Sequence, residues 1–83
     1  MFYVYILRSL KDKKTYVGYT YELKQRLEKH TNGLVKSTKH RRPFKLLFTE
    51  NFQTEKEAKK RELWWKSGAG RRKLKKYFNN SVV

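Results

Sequence analysis

Cysteine is absent from the 83-residue chain, which excludes disulfides and thiolate metal sites and fits a reducing compartment. No apolar run approaches the length of a bilayer span, and the first residues lack the apolar core of a signal peptide. Acidic residues are scarce: 7 Asp+Glu face 22 Lys+Arg, for a formal net charge of +15. A chain this short has no room for a second core, so residues 1–83 are expected to form one domain, soluble and cytoplasmic. Small domains bury only about 60% of their unfolded surface, so every apolar segment must serve one shared core. Hydrophobic residues at 37% and aromatics at 16% suffice for that core and argue against general disorder.

A strongly positive field draws in polyanions. Nucleic acid is the expected partner, ahead of an anionic membrane, because the bulky apolar helix face that membrane binding requires is needed inside so short a chain. Charge does not separate a binder from an enzyme.

Phe2–Leu7 alternates and is rich in β-formers, which reads as a strand; "KDKK" (Lys11–Lys14) is a polar turn and "TYVGYT" (Thr15–Thr20) the return strand. "ELKQRLEKH" (Glu22–His30) carries Leu23 and Leu27 at i, i+4, a short amphipathic helix stopped by "TNG", with Gly33 free to take a positive φ. A basic loop runs from Leu34 to Pro43, and "FKLLFTEN" (Phe44–Asn51) reads as a third strand. Thr54 with Glu57 forms a capping box that opens a helix through about Ser67. "SGAG" (Ser67–Gly70) is expected to break it, before a last basic helix over Arg71–Phe78 anchored by Leu74, Tyr77 and Phe78. The order ββαβαα gives a small α+β fold, a three-stranded, largely antiparallel sheet with packed helices.

Five of the six tyrosines crowd into the first 21 residues. Strand side chains alternate faces, so an even-length hairpin loop would point Tyr5 and Tyr16 to one side, with Gly18 marking a close contact or a bulge. The competing reading is aromatic packing between strands, at up to about 1 kcal/mol a pair. Arg26 and His30 share one helix face and are expected at the rim of the sheet. An arginine fork suits phosphate, and an ordinary histidine moves protons near neutral pH. The alternative for Arg26 is a surface pair with Glu22. Glu62 falls beside Ala58 and Trp65 on the apolar side of its helix, where a carboxylate needs a cation to answer it. That cation is either Lys66 at i+4 or a metal; with no Cys and two His the donors would be oxygen-rich, suiting Mg²⁺ or Mn²⁺.

Tyr3-Val4-Tyr5 followed by Tyr16-Val17-Gly18 resembles the signature of the GIY-YIG nuclease superfamily. The resemblance continues through "YVGYTYELKQRLEKH", where Arg26 falls at the family's arginine and His30 where members carry His or Tyr, and on to "EAKKRELWW", where Glu62 matches the metal-binding glutamate. It is closest to the small single-domain bacterial members, related to the excision-repair incision subunit and to structure-specific nucleases. Two positions depart from the pattern: Tyr3 replaces the first glycine, and the asparagine found after the glutamate in some members has no match, Asn79 and Asn80 coming too late.

The resemblance implies a metal-dependent endonuclease that hydrolyses phosphodiesters, acting on DNA in preference to RNA, in repair or structure-specific cleavage. Glu62 would hold Mg²⁺ or Mn²⁺, Arg26 would clamp the scissile phosphate, and Tyr5, Tyr16 or His30 would position or deprotonate the attacking water. Lys36, Lys39, Arg41 and Arg42 in the loop, with Arg71, Arg72, Lys75 and Lys76 in the last helix, would grip flanking phosphates. Another protein is the expected source of targeting. The alternative is a nucleic-acid-binding module that keeps the fold with little or no cleavage. Geometrically, Tyr5, Tyr16, Arg26, His30 and Glu62 are expected to reach one shallow, positive groove, with Glu62 partly buried beside a partner.

Overall fold

A computed structural model of the chain describes residues 1–81, with side chains through Tyr77. The expected anchor Phe78 and the amides of Asn79 and Asn80 therefore lie outside the described side chains. Strands β1 (Phe2–Ser9), β2 (Thr15–Thr20) and β3 (Phe44–Phe52) form one sheet in the order β2-β1-β3, antiparallel throughout. Helices α1 (Leu23–Thr31), α2 (Glu55–Lys66) and α3 (Gly68–Ser81) complete the ββαβαα order, with a short 3₁₀ turn at Lys39–Arg41 inside the basic loop.

β1 is the central strand, and its alternation divides the molecule. Val4 and Ile6 point to one face and pack with Val17, Ala58, Trp65 and Leu74, so α2 and α3 cover that side as the hydrophobic core. Tyr3, Tyr5 and Leu7 point to the other face, where α1 and the basic loop lie. Pairing of Tyr5 with Gly18 and of Leu7 with Tyr16 places both tyrosines on this second face, as an even-length loop requires. A register shift between Ile6 and Leu7 opposite β3 keeps Phe48 with Ile6 on the core side and Phe44 with Ser9 on the α1 side.

Local chemistry explains the element ends. Gly33, at φ +74°, closes α1: its N–H donates to His30 O at 3.2 Å and the Leu34 N–H to Lys29 O at 2.9 Å, the paired bonds of a Schellman stop. Thr54 caps α2 by accepting from the Glu57 N–H at 3.2 Å. The glycines after α2 are not a break of several residues. Ser67 alone stands between the helices, and α3 begins at Gly68, three residues earlier than the charge pattern indicates. Gly70 is buried at this corner, and a Cβ there would collide with the Trp64 carbonyl and the Trp65 backbone. The glycine serves close helix–helix approach rather than chain flexibility.

Candidate active site

Tyr5 crosses the sheet toward β2 and lies over Gly18, where any Cβ would run into the phenol ring. Gly18 is thus the close contact expected from the sequence, and what approaches it is Tyr5 itself. Tyr5 is 1% exposed, and its ring sits 6.3 Å from that of Tyr16. His30 comes up from the last turn of α1 beneath both, 5.5 Å from the Tyr5 ring and 5.1 Å from Tyr16.

The polar atoms of this cluster are joined. Arg26 Nε donates to the Tyr5 phenol oxygen at 3.3 Å, the Tyr5 hydroxyl and His30 Nε2 are 2.9 Å apart, and His30 Nδ1 lies 2.8 Å from Thr38 Oγ1. Four of the five expected residues, Tyr5, Tyr16, Arg26 and His30, therefore meet on one face. The depth differs from expectation: Arg26 is partly exposed, but His30 is 1% exposed and not at the rim. Helical spacing fixes which way His30 points, whereas how closely the last turn of α1 approaches the tyrosines is set by where the whole helix packs, on which spacing carries no information.

Burial sets the protonation states. Desolvation pushes Tyr5 up to about 12 against the opposing hydrogen bond from Arg26. Desolvation first, then the Arg26 charge, hold His30 down at about 4, so the imidazole is neutral at cellular pH. The hydrogen bond to Tyr5 raises Arg26 further and secures its charge. Neither Tyr5 nor His30 is an exposed base with an ordinary pKa.

Glu62 lies elsewhere in the packing. Its helix covers the core face of the sheet, and its side chain is 15% exposed, paired with Lys66 at 3.4 Å. Consecutive helical residues are set about 100° apart. Arg61 turns toward Glu50 of β3, and Glu62, one step round α2, takes a different direction and pairs with Lys66 of its own helix. Partial burial beside a cation is as expected, and the cation among the described residues is Lys66.

The basic residues divide between the two sides of the β1–β2 turn. On the α1 side, Lys11, Lys39, His40 and Arg42 line an open cleft with Pro43 and Phe44. On the core side, Lys13, Lys14, Arg71 and Lys75 line another, while Arg72 and Lys76 flank the outer surface of α3. Both clefts are shallow and basic. Lys36 is exposed in the loop. Arg41 and Arg42 also have internal duties: Arg41 binds Asp12 at 3.1 Å and donates to Thr15 O at 3.3 Å, and Arg42 donates to Lys39 O at 3.0 Å and to the α1 carbonyl of Thr31 at 3.4 Å.

Three residues that shape this architecture escaped the reading of the sequence. Thr38, fully buried, touches His30, and nothing in "LVKSTKH" distinguishes it. Buried Ser9 donates to Arg41 O at 2.6 Å and accepts from the Lys11 and Asp12 N–H groups, pinning the loop to the hairpin turn; a serine just ahead of a turn is its local signal. Glu50 accepts from Arg61 through both oxygens at 3.0 and 3.1 Å and from Trp65 Nε1 at 2.7 Å. Its signal was present, since it alternates with Phe48 and Phe52 on the core face.

This hairpin signature, arginine-bearing helix and glutamate-bearing helix define a nuclease-type domain, and comparison with known proteins agrees: the GIY-YIG catalytic domain family matches residues 1–77. The chain belongs to the GIY-YIG family. Within it, the chain is similar to small bacterial UPF0213 proteins, at 43% identity to one from Staphylococcus saprophyticus over 88% of this chain and 89% of the relative. A UPF0213 protein of Pediococcus acidilactici is 39% identical over 99% of this chain and 86% of its own length. The solution NMR structure of the UPF0213 protein BH0048 from Bacillus halodurans superposes with a TM-score of 0.55 at 37% identity, covering 93% of this chain and 85% of that one.

Proposed function

We propose that the protein is a divalent-metal-dependent endonuclease that hydrolyses phosphodiester bonds, acting on DNA in preference to RNA. The observation that carries this reading is the Tyr5–Arg26–His30 cluster: a guanidinium held by one nitrogen at the mouth of a tyrosine pair on a surface of net charge +15. Such a group receives a scissile phosphate, offers it two parallel donors and stabilises the charge that grows as water attacks. Tyr5 keeps its proton and steers Arg26. Tyr16, partly exposed beside them, would be the hydroxyl that meets the attacking water.

Glu62 fits a hard, oxygen-binding cation. It is a mostly buried carboxylate whose partner among the described residues is an exposed lysine at 3.4 Å, a contact that a divalent ion would displace. Among the described residues no three His, Cys, Asp or Glu gather into a ligand cluster, so waters and phosphate oxygens would have to complete the shell of an ion held by Glu62. When bound, the ion would neutralise charge on the phosphate and the leaving oxygen. The lysines and arginines of the two basic clefts would hold flanking phosphates without reading sequence. A partner protein would supply targeting, and the family resemblance suggests a role in repair or structure-specific cleavage.

The test is a nicking assay with Mg²⁺ and Mn²⁺ on plasmid, branched DNA and RNA. Glu62→Gln should abolish metal-dependent cleavage while nucleic-acid affinity stays equal or rises, because a negative charge is removed. Equal cleavage by the variant would end the metal role of Glu62. Wild-type protein that binds every substrate and cuts none would make the domain a binding module.

A further inference from the structure

Four hydrogen bonds in series connect Arg26 to the backbone of the basic loop. Arg26 Nε donates to Tyr5, Tyr5 meets His30 Nε2, His30 Nδ1 meets Thr38, and Thr38 Oγ1 donates to Val35 O at 3.3 Å. We infer that Thr38 is a positioning residue: by fixing the tautomer of His30 it sets the direction of this chain and holds Arg26 with its remaining nitrogens toward Tyr16 and the substrate.

The number of protons sets the direction of the bonds. A threonine hydroxyl has one, and Thr38 spends it on the Val35 carbonyl. Toward His30 it can then only accept, which places the ring proton on Nδ1 and leaves Nε2 with a bare lone pair. Tyr5 fills that lone pair with its hydroxyl proton, and its oxygen is left to accept from Arg26. Every donor points inward, an arrangement in which successive bonds polarise and strengthen one another. The opposite tautomer would aim His30 Nε2–H at the oxygen that Arg26 already approaches and would leave the buried Tyr5 proton without this acceptor. Thr38 is fully buried, and its hydroxyl meets His30 on one side and the Val35 carbonyl on the other, so the histidine is its link to the tyrosines. The catalytic consequence rests on the nuclease reading; the tautomer does not.

The experiment is ¹⁵N–¹H correlation of the His30 ring and of the Arg26 Nε–H at neutral pH, on wild type, Thr38→Val and Thr38→Ser. Wild type should show Nδ1 protonated, Nε2 bare and a slowly exchanging Arg26 Nε–H. Thr38→Val should shift the ring toward the Nε2–H form and speed Arg26 Nε–H exchange, and Thr38→Ser should restore both. A wild-type ring protonated on Nε2 overturns the inference, as does an Arg26 signal unchanged in Thr38→Val once the tautomer has flipped. If Thr38→Val does not fold, the wild-type tautomer and the Thr38→Ser spectrum decide. In the nicking assay Thr38→Val should lose about tenfold, the scale of outer-shell hydrogen-bond losses, at unchanged DNA affinity. Wild type that nicks nothing refutes the nuclease reading and leaves the spectra to judge the chain.

Discussion

Tyr5 and Gly18 form the tightest fit in the site, since the ring occupies the space a second side chain would need. Gly18→Ala should cost about 1–3 kcal/mol by overpacking and displace the ring from His30, measurable as a lower urea midpoint at unchanged slope. His30 gives a pH signature. Its folded pKa of about 4 lies below the unfolded value near 6.5, so the unfolded chain binds the extra proton first. Its contribution to stability is complete above pH 6.5 and is lost as pH falls toward 4, at up to about 1.4 kcal/mol per pH unit. Tyr5, Tyr16 and Arg26 face it; Tyr5 is pushed up to about 12 and Arg26 is raised, so neither of these two changes charge in that window. Urea titrations at pH 7, 6 and 5 should show this slope in wild type and its absence in His30→Phe. The convergence of Tyr5, Tyr16, Arg26 and His30 was legible in the sequence, because helical spacing and, for an even-length hairpin loop, strand parity fix direction; Glu62 was expected beside them, but its printed contact is with Lys66. How deep His30 sits was not legible, since depth depends on where a whole helix lands.

At the scale of elements, the sheet and its helices follow from alternation, capping and the amphipathic pattern, and the one misreading is the α2–α3 corner. Glycines there signal interruption by propensity, yet in the fold they admit backbone contact between helices, a tertiary demand that local propensity does not encode. Gly70→Ala should therefore destabilise the domain, although the same change in an exposed helix would stabilise it by up to about 1 kcal/mol; thermal unfolding followed by circular dichroism gives the sign. The second brace is Glu50. Burial raises its pKa, but the hydrogen bonds from Arg61 and Trp65 and the nearby cations outweigh that and hold it below the ordinary carboxylate range. Glu50→Ala leaves three donors, two of Arg61 and one of Trp65, without their acceptor and should cost about 2 kcal/mol, with a shift in tryptophan emission as Trp65 loses its bond.

For the molecule as a whole, the two basic clefts flank one hairpin turn, so a polyanion can engage both sides of the sheet. Binding to duplex DNA should weaken with salt at a log–log slope of roughly −0.9 per phosphate neutralised. Replacing Arg71 and Lys75 together by alanine should flatten that slope by up to about two units and weaken all sequences alike. An unchanged slope would move the interface away from α3. Composition made the polyanion legible, but the division of the cations between two faces needed the topology, because residues distant in sequence meet across the turn.

The central strand has a further consequence for how the chain is made. β1 precedes both of its partners: Phe2 waits for Phe52, and Ser9 for Phe44. On a ribosome, the most apolar strand emerges early, pairs with β2 along one edge, and stays open along the other until β3 follows. Until α2 and α3 are synthesised, Val4 and Ile6 also lack their cover. The segment that ends as the best-protected part of the domain is thus the longest exposed during synthesis, and the stretch for which a chaperone has most to do.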